Sequence, residues 1–130
     1  MNEQRQPVSE GDLVRFTYKT GTYAGRVAET GSPRCVVETL AVLRHPDQGD
    51  LHHPYDPDVP MFHERRALSH REKALVLLRD MEPFRGSGIP DYKESLAAAV
   101  RLSLGELERL ERWSARARET LQDVAKDYGL

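Results

Sequence analysis

The sequence predicts a mainly β plus α protein, in which a small antiparallel SH3-like barrel precedes a C-terminal helical region. Between residues 10 and 85, four or five short segments show the apolar–polar alternation of half-buried strands. A stretch containing glycine and proline interrupts this pattern over residues 85–90. From residue 91 onward, apolar residues recur at helical spacing. These three observations together place the strands first and the helices last.

The length and charge of the chain indicate a single domain. The 130 residues include 19 Lys+Arg and 21 Asp+Glu, which leaves a formal net charge of −2. At this length one core forms and no second large domain fits. We predict a flexible leader over residues 1–9, a barrel over 10–85, and a helical region over 90–130 that packs on the barrel or extends from it.

The strands of the predicted barrel differ in clarity. Residues 12–19 form a first strand, in which apolar and polar residues alternate from Val14 to Lys19, and 23–29 form a second strand in which Gly25 marks a bulge or a close backbone approach. Residues 35–43 are rich in valine and leucine and form a third strand, central to the sheet. Extended structure resumes over 59–68. Residues 74–78 fit a strand or one helical turn, and 80–84 fit a closing edge strand.

The helical region begins at Asp91, which forms a capping pair with Glu94. Helices longer than 25 residues are rare in domains of this size, so a helical hairpin with a break near residues 111–114 is favoured. One helix of about 37 residues, about 56 Å long, is the alternative, because the two apolar stripes are almost in phase. The first stripe comprises Leu96, Val100, Leu104, Leu107 and Leu110, and the second comprises Trp113, Ala117, Leu121, Val124 and Tyr128.

Composition argues against several functional classes. A nearly neutral chain with a pI of about 6.2 differs from the strongly basic domains that bind nucleic acid. No run approaches the roughly 20 apolar residues that span a bilayer, and the N-terminus has no apolar signal segment. The single cysteine, Cys35, lies in a predicted strand, where we expect a buried, inert thiol.

The segment 45–58 is unusual, with three prolines, four aspartates, three histidines and no Lys or Arg. Imidazole and carboxylate groups together suit zinc or iron, so a metal-binding protein or enzyme that uses His45, His52 and His63 is an alternative. The pattern is weak, because no HExxH motif is present and adjacent histidines on an extended segment point to opposite sides. Our expectation is that the protein binds no cofactor and that the histidines and aspartates hold the loop.

No catalytic residue is predicted. Neither Cys35 nor any serine lies in a nucleophile motif, and no glycine-rich segment carries the residues of a P-loop. The loop aspartates are expected to be ordinary solvated anions rather than an acid and base pair. The protein is therefore interpreted as a non-enzyme.

A second alternative is a small barrel that binds nucleic acid. Arginines cluster after the loop, but acidic residues are interleaved with them and few aromatic residues are available for stacking. A solvated face of mixed charge is the favoured interpretation, so we expect no nucleic-acid partner. The arginines that such a face would use are Arg65, Arg66, Arg71 and Arg79.

Several segments resemble the kinase-associated protein B family of Bacillus. The resemblance rests on residues 41–52 (AVLRHPDQGDLH) and 62–68 (FHERRAL), and it extends to 18–25 (YKTGTYAG), 81–84 (MEPF) and 126–128 (KDY). It implies a barrel with a helical extension and no catalytic activity. It also implies a regulator needed for a membrane sensor histidine kinase to act in the phosphorelay that initiates sporulation.

The family has also been called a lipoprotein, but this sequence has no lipobox or signal peptide. We therefore expect a cytoplasmic protein, whose contact with the membrane would be peripheral and through a kinase partner. The resemblance brings no binding residues, so the partner surface is chosen by chemistry. Prolines and a glycine hold the loop and thereby lower the cost of ordering it against a partner. The predicted partner-binding residues are His45, Asp47, Gln48, Asp50, His52, Phe62, His63, Arg65 and Arg66.

Overall fold

Residues 8–130, which the computed structural model of this protein describes, form a five-stranded antiparallel sheet followed by one long helix. The strands are β1 (Leu13–Tyr18), β2 (Gly21–Glu29), β3 (Arg34–Arg44), β4 (Lys73–Leu77) and β5 (Met81–Pro83). A 3-10 turn over Leu78–Asp80 joins the last two strands, and α1 spans Tyr92–Asp127. The order β4-β3-β2-β1-β5 confirms the predicted combination of antiparallel strands and helix. The middle strand is β2, whereas the third strand, predicted to be central, is an interior strand beside it.

The leader predicted over residues 1–9 falls largely on residues 1–7, which lie outside the described residues. The two residues that follow belong to the folded part. Val8 packs against the core, and the backbone N–H of Ser9 donates to the Asp12 carboxylate over 2.8 Å.

The core lies on one face of the sheet, where the period-two alternation of the strands places its apolar side chains. Val14 and Phe16 of β1 and Tyr23 and Val27 of β2 are each at most 3% exposed. Phe16 and Tyr23 are cross-strand partners, and their rings stack with centroids 5.4 Å apart. Such aromatic pairs contribute about 0.5–1.5 kcal/mol beyond the area that they bury.

The pairing of β2 with β3 is interrupted by shifts of register, one of which falls between Ala24 and Gly25. A β-carbon on Gly25 would lie 2.4 Å from the Glu38 carbonyl oxygen and 2.9 Å from the Phe16 ring. Both features predicted for Gly25, a bulge and a close backbone approach, are thus present. Bulges of this kind bend and twist a strand locally.

The extended segment predicted over 59–68 takes no part in the sheet. Some of its backbone groups are instead bonded to distant parts of the chain, those of Arg65 and Leu68 to the side chains of Gln48 and Tyr23. The His63 carbonyl accepts from the Gly49 backbone N–H. Residues 74–78, predicted to be a strand or one helical turn, belong mostly to the strand β4. The closing edge strand predicted over 80–84 corresponds to β5.

The predicted helical hairpin is wrong, because α1 is continuous over its 36 residues, a length of about 54 Å. Nothing in residues 111–114 stops a helix. The Ser114 hydroxyl donates to the Leu110 carbonyl over 2.7 Å, a bond made within the helix rather than at a break. The predicted cap is confirmed, since the Asp91 carboxylate accepts from the Glu94 N–H.

The first three turns of α1 are fixed to β3. Ser95 and Ala99 are buried, and the Ser95 hydroxyl accepts from the Val42 N–H over 3.0 Å. One turn further along, the Arg44 guanidinium donates two hydrogen bonds, of 2.9 and 3.4 Å, to the Glu106 carboxylate. This pairing lowers the pKa of Glu106. The sheet therefore sets the direction in which the helix leaves it.

We expect Gly25→Ala to lower the free energy of unfolding by about 1–3 kcal/mol, because the new methyl group would meet the Glu38 carbonyl and the Phe16 ring. Gly88→Ala is the matched control, since a β-carbon there meets nothing within 4 Å. Urea denaturation of both variants measures the difference. Equal stabilities would contradict the close approach.

Candidate functional site

The long segment between β3 and β4 contains the residues predicted to bind a partner. Residues 45–66, called the 45–66 loop below, have no strand or helix of their own. Loops of this length in a small domain are commonly functional. Its conformation is determined by side-chain hydrogen bonds between its two ends.

The side-chain amide of Gln48 joins the two ends of the loop. Its carbonyl oxygen accepts from the Arg65 N–H over 2.8 Å, and its NH₂ group donates to the Arg65 carbonyl over 2.9 Å and to the Pro46 carbonyl over 3.1 Å. The side-chain amide of Gln48 thus bonds both backbone groups of Arg65, as a neighbouring strand would. Gln48 is a structural element of the loop, although its sequence position suggested a partner contact.

Arg65 makes the reciprocal connection. Its guanidinium donates to the carbonyl oxygens of Asp47 and Gly49 over 3.0 and 2.6 Å. The Gly49 N–H donates to the His63 carbonyl over 2.8 Å, which adds a backbone bond to the same junction. The charge of Arg65 is therefore directed at carbonyl groups of its own chain.

Gly49 is required at the centre of this junction for two reasons. Its φ of +94° lies in the region that L side chains rarely adopt, and a β-carbon would lie 3.0 Å from the Phe62 ring. Phe62 covers the glycine but keeps 59% of its surface exposed.

The tip of the loop is organised by Asp50. Its carboxylate accepts from the His52 N–H over 2.8 Å, and its other oxygen lies 3.2 Å from the His53 ring nitrogen Nδ1. These bonds, the first of them foremost, hold the pKa of Asp50 below its usual value. A lowered pKa keeps the carboxylate ionised, which is the opposite of what a general acid needs.

The other predicted residues differ in their positions. His45 is half-buried, with Nδ1 2.9 Å from the Pro46 carbonyl oxygen. The side chains of His52 and His63 are in solvent, as is that of Asp47, whose backbone N–H donates to the Thr20 hydroxyl. Arg66 is also exposed and pairs with Glu64 over 2.9 Å.

Three exposed apolar side chains of the loop were missed by the sequence analysis. Leu51 is 40% exposed, Tyr55 is 88% exposed and Met61 is 62% exposed. Their signal in the sequence is the presence of large apolar residues inside a polar, proline-bounded segment. With Phe62 they give the loop an apolar component that the histidines and aspartates do not provide.

The end of this region is attached to the sheet and to the helix at Leu68. The Leu68 N–H donates to the Tyr23 hydroxyl over 3.3 Å, and the Tyr92 hydroxyl donates to the Leu68 carbonyl. Burial raises the pKa of both tyrosines. Tyr92 therefore keeps the hydroxyl hydrogen that it donates to Leu68, whereas Tyr23 contributes only its oxygen as an acceptor.

The two alternative sites were tested against the geometry. Within residues 8–130, no three His, Cys, Asp or Glu side chains come together as a metal-holding group, so the set His45, His52 and His63 is not assembled. Of the four arginines considered for nucleic acid, three are engaged within the chain. Arg65 bonds carbonyl groups, Arg66 pairs with Glu64, and Arg71 pairs with Glu38 over 2.8 Å.

The sequence and the fold were compared with those of known proteins. The family model described as kinase associated protein B matches residues 18–129, which include the whole 45–66 loop and all of α1. The chain belongs to the kinase-associated protein B family. Kinase-associated lipoprotein B of Bacillus subtilis is 40% identical over 119 residues, which cover 91% of this chain and 92% of that protein.

A solved structure of the family agrees with the fold. The crystal structure of kinase-associated protein B from Bacillus cereus superposes with a TM-score of 0.67 at 34% identity, covering 95% of this chain and 100% of that one. The predicted resemblance to the family is therefore confirmed. Among the residues that the structure describes, no helix combines the length and the apolar character needed to cross a bilayer.

We expect Gln48→Ala to loosen the loop while leaving the sheet intact. The Arg65 N–H loses its acceptor, and its hydrogen exchange should become about tenfold faster, the effect of losing roughly one hydrogen bond. Asp47→Ala is the matched control, because only the backbone of Asp47 is bonded. Amide exchange followed by NMR measures both variants, and unchanged exchange at Arg65 would contradict the role of Gln48.

The turn at the loop tip should be sensitive to acid. Because the folded-state pKa of Asp50 is lowered, ionisation stabilises the turn above the unfolded-state pKa, and this stabilisation is lost as the pH falls through the folded-state pKa. Amide chemical shifts of His52 recorded against pH should follow this titration. In Asp50→Asn, which keeps an acceptor oxygen but does not titrate, the acidic transition should vanish. Its persistence there would assign it to another group.

Proposed function

We propose that this member of the family is a non-enzymatic regulator or adaptor, which binds a sensor histidine kinase of the sporulation phosphorelay through the 45–66 loop. The observation that carries the proposal is that the loop is cross-linked at its base by Gln48 and Arg65 while the side chains of residues 51–58 and 61–64 face solvent. A preformed surface loses little conformational entropy when a partner binds it.

The side chains of the loop fall into two groups with different roles. Gln48, Arg65, Asp50 and His45 bond to loop backbone or neighbouring groups and set its shape. The exposed residues are the proposed contacts, and aromatic residues, methionine and arginine are the types enriched at protein interfaces. The proposed contact residues are Asp47, His52, Tyr55, Met61, Phe62, His63 and Arg66.

The absence of enzymatic activity belongs to this proposal. It is supported by the lowered pKa of Asp50 and by the solvent exposure of His52 and His63, neither of which suits acid–base catalysis. A kinase-associated role requires recognition only, and the loop supplies groups for recognition.

We further propose that the sheet curls into an SH3-like barrel. The register shifts between β2 and β3 support this, because bulges provide the bending that closure of a small sheet needs. The core side chains Phe16, Tyr23 and Val37, at most 1% exposed, would fill its interior.

A cytoplasmic location, with contact to the membrane through the kinase, is also proposed. Its support is the position of Cys35, the one cysteine of the sequence. Its thiol is 1% exposed in β3 and donates to the Gly31 carbonyl over 3.5 Å, so it is not accessible to an acyl chain.

The proposal is tested by measuring binding of the purified full chain to the purified cytoplasmic regions of the sensor histidine kinases of its source organism. Tyr55→Ala combined with Met61→Ser should weaken the binding of one kinase by about tenfold or more, the effect expected of central interface residues. Leu75→Ser on β4 is the matched control, because Leu75 is 62% exposed, as is Met61.

The expected result is loss of affinity in the loop variant and none in the control, together with an effect of the wild-type chain on kinase autophosphorylation. Equal binding of all three proteins would overturn the loop as the contact surface. Binding to none of the kinases would overturn the proposed partner.

A further inference from the structure

The helix α1 carries an apolar face that is covered by the sheet at one end and bare at the other. Ser95 and Ala99 are buried against β3, whereas Leu107, Leu110 and Leu121 on the continuation of that face are 56, 45 and 65% exposed. A groove of about 410 Å³ runs along it between Trp113 and Val124. Contiguous apolar surfaces of this kind in soluble proteins mark interaction sites.

The spacing of the residues along this face indicates what kind of surface would pack against it. From Val100 to Tyr128, stripe positions recur at alternating intervals of three and four residues, which is the 3.5-residue period of a coiled coil. The period is kept over four heptads, so the matching surface is another long helix. In this subsection, the stripe means the single row of positions that keeps this period, with Ser103 and Ser114 in place of Leu104 and Trp113 of the two predicted stripes. Its positions are Val100, Ser103, Leu107, Leu110, Ser114, Ala117, Leu121, Val124 and Tyr128.

We propose that the distal part of α1 pairs with the same segment of a second copy of this chain, as an antiparallel two-helix coiled coil. Within residues 8–130, the other helical segment is a three-residue 3-10 turn, so a partner helix must come from another molecule. The inference does not depend on the kinase partner, because it concerns a different surface from the 45–66 loop.

The sheet determines the antiparallel direction. Each sheet occupies the stripe side of its own helix at Ser95 and Ala99. In a parallel pair, the two sheets would need the same space at the same end of the coiled coil. An antiparallel pair places the two sheets at opposite ends of the coiled coil. The C-terminal end of each helix then lies against the stripe position of the second copy that is nearest to the second copy's sheet.

Charge complementarity selects the register. With Leu107 opposite Val124 of the second copy, Glu111 faces Arg118 of the second copy, and the two-fold axis repeats this pair. On the other side of the seam, Glu106 lies beside Asp127 of the second copy, but Glu106 is already paired with Arg44 of its own chain. A shift of one heptad in one direction would place Glu111 against Glu111, and in the other direction Arg118 against Arg118. Like charges at flanking positions destabilise a coiled coil, whereas opposite charges set its register.

The same register covers the bare stripe from end to end. Ser103 lies opposite Tyr128 of the second copy, so the overlap includes residues 103–128, about 39 Å of helix. The two layers nearest the axis pair Ser114 with Ala117, small side chains that allow the helices to approach closely. The Ser114 hydroxyl is already bonded to the Leu110 carbonyl and needs no partner in the interface.

The first test is the mass of the purified full chain by sedimentation equilibrium. We expect twice the 14.8 kDa of one chain, and a dissociation constant raised about a hundredfold or more by Leu110→Glu, which places an unpaired charge in the seam. Leu110 is half exposed in the single chain, so this variant keeps its fold. Ala115→Glu, on the opposite side of the helix, is the matched control and should leave the dimer unchanged.

The second test addresses register and direction. Glu111→Arg should weaken the dimer about tenfold, and adding Arg118→Glu should restore it, because two ion pairs are first lost and then remade with reversed sign. A Ser103→Cys chain mixed with a Tyr128→Cys chain should form a disulfide-linked heterodimer.

The proposal is overturned if the chain is monomeric at all concentrations tested, including the case in which the stripe binds a kinase helix instead. It is also overturned if Leu110→Glu and Ala115→Glu behave alike. Efficient cross-linking of the Ser103→Cys chain to itself would reject the antiparallel direction.

Discussion

The backbone of Leu68 is the point at which the sheet, the loop and the helix meet. Its N–H is bonded to Tyr23 of β2 and its carbonyl to Tyr92 in the first turn of α1. Tyr23 is itself stacked on Phe16 at the centre of the core. These two bonds couple the exit of the loop to the entry of the helix. The placement of both proposed interaction surfaces therefore depends on the packing of one buried aromatic side chain.

The 45–66 loop has a definite conformation although its backbone forms no hydrogen-bond ladder of a sheet or helix. Gln48 and Arg65, 17 residues apart, supply the donors and acceptors that a neighbouring strand would supply. Gly49 lets the chain turn beneath Phe62. The polar groups of the loop base are thereby satisfied locally, and the side chains of the tip remain available.

Much of the fold could be predicted from local patterns. Alternation located β1 and β2, and the pairing of Asp91 with Glu94 located the start of α1. The helical break was predicted from the usual length of helices, a statistical argument, whereas no residue near Ser114 interrupts the backbone bonding. Residues 59–68 were predicted to be extended, but their backbone partners are distant side chains that no local pattern specifies.

The sequence located the long loop, but not the different roles of its side chains within that loop. Proline and aspartate content pointed to the loop, yet nothing in the sequence separates Gln48, which shapes it, from His52, which faces solvent. That distinction depends on hydrogen bonds between residues far apart in the chain. Tyr55 and Met61 were missed because apolar residues are normally assigned to a core.

The bidentate pairing of Arg44 with Glu106 gives the molecule a mechanical property. It clamps α1 about two turns beyond Ala99, its last buried residue, and the helix then continues without a break to Asp127. The free part beyond Glu106 is a rigid rod of roughly 32 Å. If α1 pivots at Ala99, a displacement of Glu106 at the end of β3 would be amplified about fourfold at the tip of the helix, because the tip lies about four times as far from Ala99 as Glu106 does.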